Sequence, residues 1–212
     1  MITITVKGLA KFMTARPAQQ RKIVHDFKYP KEDESAAQQK FYREARAVIR
    51  AYHKKGHPSS WLLSRAGLLR GLANGSTKQR RTRLVCNERA IRYYHEHFRD
   101  KRYQLLEPPS MDLPIATVRI RVTPDLHVRE KGTSKIIKLE FAKPIPDPML
   151  IKIICQVMYE AANRNGHAYG SACVLLFDVP RGHIHRGARA GARTRADVDA
   201  ACRTITAIWN TI

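Results

Sequence analysis

Asp125, Lys138 and Glu140 lie in the stretch VRIRVTPDLHVREKGTSKIIKLEFAK, Val118–Lys143, at spacings that could do chemistry on a phosphate. Side chains along a strand alternate between its two faces. Val118, Ile120, Val122, Leu126 and Val128 alternate there with Arg119, Arg121, Thr123, Asp125, His127 and Arg129. Farther on, Ile137, Leu139 and Phe141 share one face, and Lys138 and Glu140 share the other with Ile136. The pattern predicts two antiparallel strands joined by a Glu130-Lys131-Gly132-Thr133 turn. If Lys131 pairs with Ser134, Asp125 falls opposite Glu140. Two facing carboxylates can hold a hard divalent cation. Such an ion stabilises charge on a transferring phosphoryl group and makes water nucleophilic near neutral pH. Lys138 shares the strand face of Glu140, whereas Lys143 faces away unless the strand bulges before Pro144. Without a metal, the same side chains make a cross-strand lysine–carboxylate cluster on a solvated face.

Several elements must position these groups. The first hundred residues read as helices: one from Lys7 to Phe27, interrupted near Arg16-Pro17, and one capped by Ser35 and running to about His53. Lys40, Arg43, Arg46 and Arg50 on the second read as a solvated face. Trp61, Leu62, Leu63, Leu68, Leu69 and Leu72 predict a short, buried helix. A basic helix from Thr77 to Phe98 opens with Lys78, Arg80, Arg81 and Arg83, a placement the helix dipole disfavours and a phosphate would relieve. Glu88 on it is either a further acidic partner or a surface residue. Near Asp100 the composition turns to prolines and β-branched residues, suggesting two domains, 1–100 and 101–212. Asp147-Pro148 predicts a helix start. That helix buries Leu150, Ile153, Ile154, Val157, Met158 and Ala161 and presents Lys152, Gln156, Tyr159, Glu160 and Asn163 on its other side. The run Cys173–Phe177 reads as a strand covered on both faces and parallel to the strand before the helix. A loop with Arg181, Arg186, Arg189, Arg193 and Arg195 follows, suited to gripping a phosphate backbone. A last helix starts at a Thr194 cap.

Pro124-Asp125 on one strand and Glu140 on the next resemble the PD-(D/E)XK nuclease superfamily. Gln156-Val157-Met158-Tyr159 on the following helix resembles the Q-x-x-Y motif of its RecB-type branch. The resemblance spans roughly residues 118–179. It implies a restriction-endonuclease-like mixed α/β core, a mixed sheet flanked by helices, beside a mostly helical N-terminal part. It further implies that Asp125 and Glu140 bind Mg²⁺ or Mn²⁺, and that Gln156 and Tyr159 help hold the DNA and the site. The family places a lysine that helps activate or position water two residues after the second acid, a role for which Lys138, or else Lys143, is the substitute in this sequence. The family position itself is Ala142, which a catalytically inactive relative would also show.

The bulk composition agrees with a nucleic-acid partner. The 212 residues carry 39 lysines and arginines against 18 acidic residues, a formal charge of +21. Such an excess favours phosphates. No long apolar span accompanies it, so no membrane partner is expected. The four separated cysteines form no CxxC pair and read as buried thiols. A cytoplasmic location is expected from these thiols and from an N-terminus without a signal-peptide core. His183 and His185 lack a third ligand at a telling spacing. The expected function is a metal-dependent nuclease, acting on DNA sooner than RNA. The alternative is a non-catalytic nucleic-acid-binding protein on a degenerate nuclease fold.

Overall fold

A computed structural model describes residues 1–30, 41–142, 147–187 and 191–212. Ser35, Lys40, Lys143 and Arg189 therefore lie outside the described residues. The chain is mixed α/β. It begins with a strand, β1 (Ile2–Thr5), followed by α1 (Val6–Thr14) and α2 (Pro17–Lys28). Three helices come next, α3 (Arg43–Lys55), α4 (Ser59–Ala73) and α5 (Lys78–Phe98). Five strands then run in succession: β2 (Gln104–Leu105), β3 (Met111–Ile115), β4 (Val118–Val122), β5 (Leu126–Glu130) and β6 (Thr133–Glu140). After them come α6 (Pro148–Arg164), β7 (Val174–Asp178), β8 (His183–Arg186) and α7 (Ala192–Thr211).

The strand expected from Val118 to Arg129 is two strands in two sheets. β4 is the middle of a three-stranded sheet, β1-β4-β3, and β5 belongs to a five-stranded sheet, β2-β5-β6-β7-β8. Thr123-Pro124 makes the break, because proline has no N–H to continue a ladder. Asp125 resumes the ladder, its N–H donating to the Ile137 carbonyl at 2.9 Å. The register of β5 on β6 is also shifted by two residues from expectation: Glu130 pairs with Thr133 and Leu126 with Ile137. The turn residues are Lys131 and Gly132, both at positive φ (49° and 81°). That conformation suits the right-handed twist of a hairpin. A shift of two keeps every side chain on its expected face, but it sets Asp125 beside Lys138 instead of Glu140.

The five-stranded sheet is covered on both sides. Ile136 and Leu176 on one face join Ile120 of the smaller sheet, Leu9 and Phe12 of α1, Ile154 and Met158 of α6 and Cys202 of α7. Leu126, Ile137, Leu139 and Phe177 on the other face pack against Ile49, Leu62, Ile91, Tyr94 and Phe98 of α3 to α5. Every residue of β7 is buried, and β7 pairs in parallel with β6 after the α6 crossover, as its apolar run predicts. Both cores draw on residues from either side of position 100, so the change of composition near Asp100 is not a change of core.

Four local expectations change. The N-terminal part opens with a strand, β1, paired in parallel with β4. Helix α4 is only half buried: Leu62, Ala66 and Ala73 face the core, while Leu63, Leu68 and Leu72 are exposed. The arginine-rich loop contains β8, an edge strand antiparallel to β7 that carries His183, His185 and Arg186. The last helix begins at Ala192 with Gly191 as its cap, ahead of Thr194. Asp147 caps α6 as expected, accepting the Met149 N–H at 2.8 Å with Pro148 at the first helical position.

Candidate active site

Asp125 sits where the chain leaves one sheet and enters the other, and its carboxylate is held from three directions. Oδ2 accepts the Leu139 N–H at 2.8 Å and lies 3.2 Å from Lys138 Nζ. Oδ1 lies 2.8 Å from Arg46 Nε. Lys138 is fixed in turn by donating to the Thr123 carbonyl at 3.0 Å. Asp125 is 9% exposed, so its charge needs these partners.

Glu140 lies two residues beyond Lys138 on the same strand face. Its Oε2 accepts from Lys7 Nζ at 2.6 Å. Its Oε1 accepts the backbone N–H groups of Phe141 (3.1 Å) and Ala142 (3.0 Å). Burial pushes the Glu140 carboxyl up. The Lys7 charge and hydrogen bond, with the two backbone donors, outweigh burial and hold it below the usual carboxylate value. Glu140 is therefore ionised near neutral pH, as a metal ligand must be.

Lys7 is placed by β1. Pairing β1 with β4 sets Thr5 beside Arg121, and Thr5 caps α1 by accepting the Gly8 N–H at 3.0 Å. A cation in the first turn of a helix opposes the helix dipole, and the Glu140 carboxylate offsets that cost. Arg46 comes from the α3 face expected to be solvated. Its guanidinium stands 5.5 Å over the Phe141 ring and pairs with Asp125. Tyr42 stacks on the same ring at 4.9 Å between centroids. Burial raises the Tyr42 phenol pKa, with Cys86 and Glu140 adding to the effect. Lys7, Arg46 and Tyr42 are the site residues that strand periodicity did not reveal.

The donor types suit a hard cation. Two buried carboxylates with water and substrate phosphate to complete the shell are a common way to hold Mg²⁺. Among the described residues no three His, Cys, Asp or Glu side chains form a set that could hold a metal ion. Asp125 and Glu140 already carry cationic partners. Lys7, Arg46 and Lys138 against two carboxylates leave the cluster with one positive charge in excess. That excess favours a phosphate beside the carboxylates.

The other expected residues divide. Gln156 is not on an exposed side of α6. It is 4% exposed and lines a cavity with Val157, Thr194 and Val198, among others. None of Asp125, Lys138 and Glu140 lines that cavity. Tyr159 is half-buried and packs at the edge of the core shared by α1, α6 and α7. Glu88 is buried and ion-paired with Arg92 one helical turn on. Arg181 directs Nη1 at both oxygens of Asp178, 2.9 Å each, and Asp178 is 1% exposed in register beside Glu140. Arg195 forks onto Glu160 Oε1 at 3.1 and 2.9 Å, and Arg83 pairs with Glu44 at 3.2 Å. Arg80, Arg81, Arg186 and Arg193 are exposed. No described helix is long and apolar enough to cross a membrane. Compared with known proteins, the chain matches no family model, and no curated protein or solved structure matches it significantly.

Proposed function

We propose that this chain is a divalent-metal-dependent nuclease that hydrolyses phosphodiester bonds of nucleic acid. The observation that carries the reading is that Lys138, which shares a strand face with Glu140, pairs with Asp125 across the hairpin. Both carboxylates are buried and cationic side chains surround them. When bound, Mg²⁺ or Mn²⁺ would supply charge stabilisation at the phosphoryl group and an activated water. Asp125 and Glu140 would hold it. Lys138, anchored by the Thr123 carbonyl, keeps an ammonium beside Asp125 for the water or a phosphate oxygen. Lys7 keeps a second ammonium on Glu140. Arg46 adds a fixed positive charge from the opposite helical layer. The exposed arginines Arg80, Arg81, Arg186 and Arg193 are suited to a sequence-independent hold on the backbone.

Labelled DNA and RNA incubated with the protein in Mg²⁺, Mn²⁺ or EDTA test this directly. Cleavage in either metal and none in EDTA is expected. Equal cleavage in EDTA, or no cleavage of any substrate, would overturn it.

A second reading has its own support. All four carboxylate oxygens of the pair already receive an N–H group or a cationic side chain, and Ala142 leaves the family position without a lysine. On this reading the cluster is structural and the chain binds nucleic acid without cutting it. An Asp125→Ala substitution separates the two. The nuclease loses cleavage and keeps binding, whereas the binder has no cleavage to lose and keeps its affinity.

A further inference from the structure

The cavity that contains Gln156 measures about 440 Å³ and lies between α6, the β3–β4 turn and the start of α7. That size is within the usual range of small-ligand pockets, about 300–1,000 Å³. Gln156 Nε2 is buried and has no hydrogen-bond partner. A buried donor without an acceptor is a standing cost to the fold, which a leucine or methionine at the same position would not incur. An acceptor brought into the cavity by a ligand would relieve that cost once the Gln156 side chain turns to meet it. The walls around it, Leu113, Ile115, Val157 and Val198, are apolar.

The charges at the mouth are mostly committed. Arg195 is held by Glu160, Asp199 by Arg203, and Arg164 donates to the Pro114 carbonyl at 3.3 Å. A phosphate or carboxylate would meet only the exposed guanidinium of Arg164, and a purely aliphatic ligand would leave the amide unmatched. A planar, uncharged group with polar edges and apolar faces satisfies both the walls and the amide. A carboxamide reads the edge of a base with paired hydrogen bonds. We propose that this cavity is a nucleobase pocket, with Gln156 on the edge of the base and the apolar walls against its faces. The base could belong to a free nucleoside or to a strand from which it is turned out. Only the strand source rests on the nucleic-acid reading above.

Saturation-transfer NMR with each of the four common nucleosides, and the fluorescence of a single-stranded oligonucleotide carrying 2-aminopurine, probe the two sources. Both are run on the full chain and on Gln156→Leu and Ala196→Trp. Saturable binding of at least one probe is expected. Gln156→Leu weakens it by about tenfold without lowering the melting temperature, and Ala196→Trp, on the exposed rim, abolishes it. Nucleoside binding alone assigns a free ligand. An aminopurine response, with or without nucleoside binding, assigns a strand. No response from either probe, or binding untouched by both variants, overturns the pocket. A lower melting temperature for Gln156→Leu with binding intact also overturns it, since the amide is then structural. Asp125→Asn keeps base binding, so a failure of the nuclease reading and a failure of the pocket give different results.

Discussion

Lys7 holds Glu140 ionised against the pull of burial. With Lys7→Met both of its lowering influences are lost and the Glu140 pKa rises. A pH titration of the Glu140 side-chain carbon by NMR measures this. In the native chain the folded value lies below the unfolded 4.5, so the stability Glu140 contributes is present above that pH. It is lost as pH falls through the lower folded value. Because Lys7 is 41% exposed, its removal costs about 1–2 kcal/mol, less than a fully buried pair would. His53 works in the opposite protonation state. Burial, with Arg102 adding to it, lowers its pKa from 6.5 to about 4, and its Nε2 pairs with the Tyr94 hydroxyl at 2.7 Å. The unfolded chain takes up that proton first. Stability therefore declines as pH falls from about 6.5 toward 4, by on the order of 3 kcal/mol. Urea unfolding across that range shows the decline, and a His53→Gln variant lacks this limb. Arg181→Ala leaves the carboxylate of Asp178 buried without its cation. A loss of about 3–5 kcal/mol is expected, read from the shift in urea midpoint.

At the scale of elements, β1 and α1 are what bring Lys7 to Glu140, and their seating depends on Gly8. A Cβ at Gly8 would overlap the Phe27 ring of α2. Gly8→Ala must move that ring, costing about 1–2 kcal/mol in a thermal or chemical melt, and it loosens Lys7 from Glu140. The common face of Lys138 and Glu140 was legible in the sequence, because a strand period of two assigns faces without knowing any partner. The register was not, because either pair of residues in Lys131-Gly132-Thr133 could have formed the turn. The choice falls on a lysine at positive φ that no residue type announces. The burial of Gln156 was illegible for a related reason. Helix α6 is enclosed on nearly all sides, so its polar residues do not mark a solvent face. Lys7 and Arg46 meet their carboxylates across long stretches of chain, and no local periodicity encodes such contacts. The one trace of Lys7 in the sequence is a basic residue in a helical first turn, where the dipole disfavours it.

Across the whole molecule, the formal charge of +21 makes any nucleic-acid affinity steeply dependent on salt. The arginines are not equivalent in that respect. Arg80 and Arg81 are exposed at the start of α5, whereas Arg195 and Arg83 are paired with Glu160 and Glu44. Replacing Arg80 or Arg81 by alanine is expected to reduce the slope of log affinity against log salt by about one each. Arg195→Ala is expected to change it by less. Titrations of duplex DNA at several salt concentrations measure both. The proposed activity depends on Asp125 and Glu140. A crystal soaked in Mn²⁺ and measured for anomalous scattering tests that pair most directly. One peak at about 2.1–2.3 Å from an oxygen of Asp125 and an oxygen of Glu140 is predicted. No peak there, with Lys7 and Arg46 still seated on their carboxylates, would contradict it.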